Sequence, residues 1–359
     1  MTELLEVLEV LELHTAGTSS IDELRAVEDE SIREAIALQE RHGLDVVTDG
    51  EFRRLRGRQD LAARLSSVTR FGLARNRQLP AGEHCAGALP VRTTHLDRVS
   101  TASVSRAIVD PLPNALVDEY RFAASLASRP VKVTLLGPDY LSHVFDPSPG
   151  DGFRDVFDSV VTLERAIIGE VVAAGCPYVQ LDAPGYLAYA DPVCVAEMRG
   201  RGIDPVADLR WAVQADNAVI DTAGTAVFGL HMCRSYLQGR MQKSPVFDPF
   251  AEILFAELAH QRLLIDFDTT RPDAFAPLRF VPPGKEVVLG VVDSRHPRIE
   301  TVEEVLRLVE QACRWLSVDD LALSPTCGFA SSGTTASLTH DEQWRKLDVL
   351  AEVAARVWG

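Results

Sequence analysis

The 359-residue sequence lacks several features that would assign it to a class at once. No stretch approaches the roughly 18 consecutive apolar residues that a membrane-spanning helix requires, and the first residues carry no basic segment of a secretory signal. Basic residues are few, with 36 Lys and Arg against 52 Asp and Glu, and the net charge is −16. An acidic surface repels phosphate groups. We therefore expect a cytoplasmic protein that binds neither nucleic acid nor membrane.

Cysteine is also scarce, and six residues in this length are too few for a disulfide scaffold. In a cytosolic chain, cysteines that accompany histidine more often indicate metal binding or catalysis. The G-x-G-x-x-G, Walker A, H-E-x-x-H and G-x-S-x-G patterns are missing. Nucleotide-dependent chemistry and serine hydrolysis therefore have no support.

Apolar runs that end in polar residues, Gly or Pro recur along the chain and alternate with amphipathic stretches. Near-continuous apolar runs of this length predict strands that are buried on both faces of a parallel sheet. They lie at residues 43–51, 131–138, 178–184, 226–233, 263–268, 287–293 and 321–328. We predict an eighth strand around residues 7–13.

Helix signals fill the intervals between the predicted strands. Capping-box pairs, in which Ser or Thr precedes Glu by three residues, occur at Ser20/Glu23, Thr301/Glu304 and Thr339/Glu342. Gly43 and Gly175 are placed where helices end. Strand–helix alternation at this length predicts an α/β fold, a single (β/α)₈ TIM barrel over residues 1–359. A barrel needs roughly 250 residues, and we assign most of the surplus to an insertion at about 55–130 over the C-terminal mouth.

Chemistry-bearing residues follow most of the predicted strands, at the barrel pole where active sites form. His231 and Cys233 are two residues apart on a strand, so their side chains share a face. Cys327 ends another strand, and Asp266 or Asp268 ends a strand between those two. His, Cys, Cys and Asp form a donor set that matches zinc. The alternative is that both cysteines are small buried apolar residues and the histidine is a core residue.

A zinc ion with three strong ligands and one weaker carboxylate has an exchangeable position, as catalytic zinc does. A substrate thiol bound there would be held as a thiolate at neutral pH. Thiolates attack carbon electrophiles, so the predicted chemistry is methyl or other alkyl transfer to sulfur.

With these residues in view, the chain resembles the cobalamin-independent methionine synthase family over its catalytic barrel, from about residue 21 to 332. The resemblance rests on four segments: Val47-Thr48-Asp49-Gly50-Glu51-Phe52-Arg53-Arg54, Val179-Gln180-Leu181-Asp182-Ala183-Pro184, His231-Met232-Cys233 and Ser324-Pro325-Thr326-Cys327-Gly328-Phe329. It implies a (β/α)₈ barrel with zinc, a small-molecule thiol acceptor that is typically homocysteine, and a methylfolate as the methyl donor.

The resemblance also implies roles for individual residues. His231, Cys233 and Cys327 match the zinc ligands, and the family's glutamate ligand falls on Asp266 or Asp268, of which we prefer Asp266. Asp182 matches the residue that holds the substrate amino group, and Glu51 lies in a segment that lines the same site. We expect Asp182 and Glu51 to orient the acceptor.

Three departures favour a specialised substrate. A Gly-Ser turn expected after the first strand is missing from residues 13–18, Ala183 replaces an acidic residue, and Asp replaces Glu at the metal. Zinc chemistry is therefore better supported than the identity of the acceptor or the donor.

Further candidates lie near the predicted mouth. Asp49, Arg53 and Tyr186 are predicted to bind substrate, with solvated-loop or packing roles as the alternatives. His296 is placed to protonate a leaving group, and an ordinary loop histidine is the alternative. Lys132 lies inside a predicted strand, and because a buried lysine is costly unless it is paired, this position favours an ion-paired or functional role.

Two other functions remain open from the sequence. A lyase or decarboxylase on a barrel that resembles uroporphyrinogen decarboxylase needs no His-x-Cys and Cys set. A non-catalytic barrel with structural zinc would have a closed metal site. The sequence leaves the oligomeric state undetermined.

Overall fold

The computed structural model describes residues 2–56, 114–138, 153–200, 202–220, 224–233, 236–237, 240–241, 248–329 and 338–359. The strands in this part of the chain are β1 (Lys132–Leu136), β2 (Tyr178–Asp182), β3 (Val227–Met232), β4 (Tyr236–Leu237), β5 (Arg240–Met241), β6 (Arg262–Asp266), β7 (Glu286–Val292) and β8 (Leu321–Pro325). The helices are α1 (Thr2–Thr15), α2 (Ile21–Arg41), α3 (Ala115–Leu126), α4 (Phe153–Ala173), α5 (Pro192–Gly200), α6 (Pro205–Ile220), α7 (Asp248–Glu257), α8 (Val302–Ala312) and α9 (His340–Trp358).

Among the described residues, six strands form one parallel sheet in the order β1-β2-β3-β6-β7-β8. Each of the six coincides with a predicted apolar run. β2, β6 and β7 are buried along almost their whole length, as expected for strands covered on both faces. α3 packs against β1, α8 against β7 and α9 against β8. This is the α/β barrel that the alternation predicts.

The predicted strand at residues 43–51 is reduced to a single bridge. Val47 pairs in parallel with Val131, with reciprocal backbone hydrogen bonds of 3.0 Å to the carbonyl of Pro130 and 2.9 Å from the amide of Lys132. Gly50, at a φ of +69°, turns the chain away soon afterwards. The segment occupies the position beside β1 without becoming a strand.

The strand predicted at residues 7–13 is wrong, because this segment lies in helix α1. Glutamates recur at positions 3, 6, 9 and 12, a spacing close to one helical turn. Val7, between them, is fully buried, and α1 packs against α2. The apolar residues of this segment therefore follow the helical rather than the strand period.

All three predicted capping boxes are confirmed, at the starts of α2, α8 and α9. Gly43 and Gly175 follow α2 and α4 at φ values of +78° and +100°, which glycine adopts without steric cost. Of the predicted insertion, residues 57–113 lie outside the described part. Helix α3, which belongs to the same predicted range, packs against α2 and β1.

None of the helices in the described ranges combines the length and hydrophobicity that crossing a bilayer requires.

Candidate metal and substrate site

One group of metal-donor side chains stands out among the described residues. His231 lies in β3, Cys233 follows that strand, and Cys327 follows β8. A nitrogen of His231 and the two Sγ atoms all lie within 4.8 Å of one another, and the two sulfurs are 2.6 Å apart. Three strand spacings, about 14 Å in a flat sheet, separate β3 from β8 in the strand order. The curvature of the barrel therefore brings these donors together.

His231 is fixed by a carboxylate on the neighbouring strand. Asp182 pairs with His231 in the β2–β3 register, and His231 Nδ1 is 2.9 Å from Asp182 Oδ1. Burial disfavours the imidazolium, but the hydrogen bond and charge of Asp182, with Cys233 and Asp266, raise the pKa of His231 to about 9. Although burial opposes it, the same hydrogen bond lowers the pKa of Asp182. Carboxylate–histidine pairs of this kind orient histidine ligands in metal sites.

The two cysteines have unequal acidity. The hydrogen bond from Cys327, together with the charges of His231 and Arg295, lowers the pKa of Cys233 to about 6. The pKa of Cys327 is raised, because it donates to Cys233, is buried and lies near Asp266. Cys233 is therefore the thiolate of the pair.

The candidates for a fourth ligand differ in their surroundings. Asp266 is fully buried, at the end of β6 and one residue beyond the Met232–Ile265 pair. Its charge acts on both His231 and Cys327, although it lies outside the three-residue donor group. Asp268 instead accepts hydrogen bonds from the amide and hydroxyl of Thr270, at 3.2 and 2.6 Å. The surroundings favour Asp266 over Asp268.

A polar chain extends from the donor group into the barrel. Lys132 Nζ donates to Gln180 Oε1 at 2.8 Å, and Gln180 Nε2 donates to Asp182 Oδ1 at 2.7 Å. Burial lowers the pKa of Lys132, while the charges of Asp182 and Glu51 oppose this shift. Lys132 therefore has a hydrogen-bond partner inside the barrel, and the charges of Asp182 and Glu51 act on its ammonium group.

A second acidic group lies beside this chain, around Arg54. The guanidinium of Arg54 is 3.2 Å from Glu51 Oε1 and 2.9 Å from Glu119 Oε2, and it donates to the carbonyl of Thr134 at 2.7 Å. Thr134 in turn donates its hydroxyl proton to Glu51. Arg54 therefore holds Glu51 against β1.

Asp49 and Glu51 occupy an unusual turn. The Glu51 amide donates to Asp49 Oδ1 at 3.0 Å, and Glu51 has a φ of +58°, a conformation that is uncommon for residues other than glycine. Burial and the charge of Glu119 raise the pKa of Asp49 to about 6. Backbone strain of this kind often accompanies functional sites.

Three predicted site residues lie elsewhere. Arg53 pairs with Asp29 at 2.5 Å and stacks 4.2 Å from the centre of the Phe122 ring. Tyr186 is fully buried and donates its hydroxyl to Asp216 at 2.7 Å. His296 is exposed on the loop after β7. None of these placements brings the side chain to the donor group.

The residues predicted for the site do not include Arg295, Gln180 or Arg54. Arg295, the chain neighbour of His296, helps through its charge to lower the pKa of Cys233. The two-residue period of a strand could have indicated Gln180, because its side chain lies on the same face as that of Asp182. No comparable period exists in the short 3₁₀ helix Phe52–Arg56, which carries Arg54, or in the loop that carries Arg295.

Comparisons with known proteins agree with this architecture. Residues 6–354 match the family model of the cobalamin-independent synthase catalytic domain. The uncharacterized protein YxjH of Bacillus subtilis (strain 168) is 30% identical over 357 residues, which cover 98% of this chain and 91% of YxjH. The 5-methyltetrahydropteroyltriglutamate–homocysteine methyltransferase of Acidiphilium cryptum (strain JF-5) is 30% identical over 322 residues, or 87% of this chain and 36% of that protein.

A solved structure from Listeria monocytogenes, described as a vitamin-B12-independent methionine synthase, has the same fold. It superposes with a TM-score of 0.67 at 22% identity and covers 98% of this chain and 94% of its own. Together with the match along nearly the whole sequence, this leads to one conclusion: the chain belongs to the family of cobalamin-independent synthases, whose catalytic domain it matches.

Proposed function

We propose that the chain is a zinc-dependent methyltransferase that acts on the sulfur of a small-molecule thiol. The observation that carries the proposal is the group of His231, Cys233 and Cys327, with donor atoms within 4.8 Å of one another. Imidazole nitrogen and thiolate sulfur are the donors that zinc prefers. Asp266, buried beside them, is our candidate for the fourth ligand.

Bound at these residues, zinc would supply an exchangeable position that holds an acceptor sulfur in its thiolate form. The chain's own residues would do the rest. Asp182 fixes the ring of His231 through the 2.9 Å contact, and Gln180 and Lys132 support Asp182 from inside the barrel. We assign the acceptor's amino group to the carboxylates of Asp182 and Glu51.

The acceptor and the donor belong to the same proposal. Methyl transfer of the methionine-synthase type is supported by the family and its curated relatives, and we propose a methylfolate as the donor. Ala183 follows Asp182 and is fully buried, so this position offers the substrate no charge. The family has two adjacent acidic residues at this point and this chain has one, which favours a thiol other than homocysteine. His296 remains our predicted acid for the leaving group.

Metal analysis of purified variants tests the ligand set. We expect about one zinc per chain in the wild type and a loss of most of it in Cys233→Ser and Cys327→Ser, because a hydroxyl is a poor substitute for a thiolate. Cys313→Ser is the matched control, since Cys313 is a free, exposed cysteine. Full zinc occupancy in both site variants would overturn the proposal.

X-ray absorption of the zinc-loaded protein then separates a catalytic site from a structural one. Adding an acceptor thiol should increase the sulfur content of the metal's ligand shell, because an exchangeable position is filled. A ligand shell that no thiol changes would indicate a closed, structural site. A screen of thiols with a methylfolate follows, with methylated product as the readout.

A further inference from the structure

A pair of buried hydroxyl groups lies beside Cys327, and the proposed function gives neither of them a role. Ser294 follows β7 and Thr326 follows β8, and both are buried. Their hydroxyl oxygens are 3.1 Å apart. Because a buried polar side chain is costly unless hydrogen bonds compensate, the partners of these hydroxyls indicate what they do.

The two hydroxyls act where the sheet between β7 and β8 ends. Between Gly290 and Val292, β7 advances two residues while β8 advances one, and the amide of Thr326 then donates to the carbonyl of Val292 at 2.8 Å. Beyond this bond, the amide of Ser294 donates to Thr326 Oγ1 at 3.2 Å, and the amide of Cys327 donates to Ser294 Oγ at 3.3 Å. Side chains therefore replace the neighbouring strand as partners of these two amides.

The loop that carries Ser294 is anchored by an ion pair with the last helix. Lys346 of α9 is fully buried, and its Nζ is 2.7 Å from Glu300 Oε2. The other carboxylate oxygen of Glu300 accepts the amide of Asp293 at 3.0 Å. Because a buried ion pair is costly to break, the start of the loop has a position that does not depend on Cys327.

The position of the Cys327 backbone decides where its sulfur lies. A cysteine side chain has a single torsion angle that moves Sγ, so a shift of the backbone carries the sulfur with it. Cys327 Sγ lies 2.6 Å from Cys233 Sγ and within 4.8 Å of a nitrogen of His231. Zinc sites hold their ligand distances to within about 0.2 Å, so even a small shift of this backbone would weaken the site.

We propose that Ser294 is a positioning residue, which holds the amide of Cys327 so that the cysteine sulfur lies where it binds the metal. The inference rests on the proposed function, in which Cys327 is a zinc ligand. Removing a partner that orients a metal ligand commonly lowers metal affinity by about 10- to 100-fold. Ser294 acts on the backbone of the ligand rather than on its sulfur, so we expect an effect at the lower end of this range.

Ser294→Ala removes the acceptor of the Cys327 amide, and Thr301→Ala is the matched control. Thr301 lies on the same connection between β7 and α8, and its hydroxyl also accepts a backbone amide, that of Glu304 at 3.2 Å. Loss of this helix cap lowers stability without changing a bond to Cys327. Competition with a chelator measures zinc affinity, and urea unfolding of the metal-free proteins measures stability.

Cobalt(II) in place of zinc supplies a readout that a loss of stability alone does not change. Its sulfur-to-metal charge-transfer absorption reports the bonds between cysteine and the metal. At saturating cobalt, Cys327→Ser gives the reference for a site that lacks one of the two cysteine sulfurs.

We expect Ser294→Ala to bind zinc about tenfold more weakly than wild type. Its charge-transfer absorption per bound cobalt should lie between those of wild type and Cys327→Ser. Thr301→Ala should unfold at a lower urea concentration than wild type, with the zinc affinity and the cobalt absorption of wild type.

Wild-type zinc affinity in Ser294→Ala, or an equal loss of affinity in Ser294→Ala and Thr301→Ala, would overturn the inference. Failure of the proposed function is distinguishable, because wild type itself would then bind no zinc, and that result would overturn both. If Ser294→Ala does not fold, Thr326→Val replaces it, since valine keeps the shape of threonine but offers no hydroxyl to Ser294. The same weaker binding and reduced absorption are expected there, and wild-type values would overturn the inference.

Discussion

Asp49 is a buried residue near the barrel mouth, and its ionisation destabilises the folded protein. Asp49 is 7% exposed, and its carboxylate accepts a hydrogen bond from the amide of Glu51. Burial and Glu119 raise its pKa from 3.8 to about 6, against the opposing charge of Arg54. The folded protein therefore binds this proton more tightly than the unfolded chain does.

We predict a stability difference between low and neutral pH that depends on Asp49. Because its folded pKa is raised, its stabilising contribution is complete below the unfolded pKa and is lost as pH rises from about 4 through about 6. A pKa raised from 3.8 to about 6 corresponds to about 3 kcal/mol of stability. Urea unfolding of Asp49→Asn between pH 4 and pH 8 should lack this loss.

The control for this measurement is Asp45→Asn, which removes an exposed carboxylate from the same segment and should leave the pH profile of the wild type unchanged. Parallel profiles for Asp49→Asn and wild type would mean that folding does not raise the pKa of Asp49.

The residue scale also shows where sequence reasoning succeeds. His231 and Cys233 were placed on one face by the two-residue strand period, and the structure has them together with Cys327. Loops offer no such period. Arg53 and Arg54 are adjacent, yet one stacks on Phe122 and the other bonds to Glu119; only the three-dimensional path of the turn decides which faces the barrel.

Among the elements, β7 depends on a glycine for its close contact with both neighbours. A Cβ at Gly290 would lie 2.9 Å from the carbonyl oxygen of Ile265, 3.2 Å from the Cα of Asp266 and 3.3 Å from the Cα of Thr326. All three are backbone atoms, which cannot move aside as a flexible side chain can. Gly290 therefore sets the spacing of β6 and β8 near Asp266 and Cys327, two residues of the candidate site.

We predict that Gly290→Ala destabilises the fold by about 1–3 kcal/mol, the usual effect of forcing atoms into a packed region. It should also weaken zinc binding, since β6 and β8 must separate. Urea unfolding and a zinc titration measure the two effects. Gly169→Ala, in helix α4 with open space around it, should raise stability by up to about 1 kcal/mol. Unchanged zinc affinity in Gly290→Ala would show that this spacing does not position the ligands.

The strands were more predictable than the first segment of the chain. Runs such as residues 287–293 are apolar at nearly every position, which few environments other than a buried parallel strand accept. The N-terminal segment carries leucine and valine between glutamates, and both a strand and an amphipathic helix bury such residues. Packing of α1 against α2, a long-range contact, decided between them.

At the scale of the whole molecule, the donor group connects the ends of two strands that are not neighbours in the sheet. Cys233 and Cys327 are 94 residues apart in sequence, and they extend from strands that two others separate. The order of the six strands in the main sheet could be predicted from the sequence, because alternation with helices fixes it. The close approach of the ends of β3 and β8 could not be predicted from the sequence, because it depends on the curvature of the sheet.

A ligand that joins β3 to β8 must stabilise the folded barrel, because the unfolded chain does not hold the donors together. At free zinc about 100-fold above the dissociation constant, binding adds about 2.7 kcal/mol, or about 4 °C in the melting temperature of a chain of this size. Calorimetry of metal-free protein with and without zinc should show this rise in wild type and in Cys313→Ser, with reversal by a chelator. Cys327→Ser should melt at one temperature in both conditions, because its zinc cannot bridge the two strands; the same rise in that variant would place the stabilising ion elsewhere on the molecule.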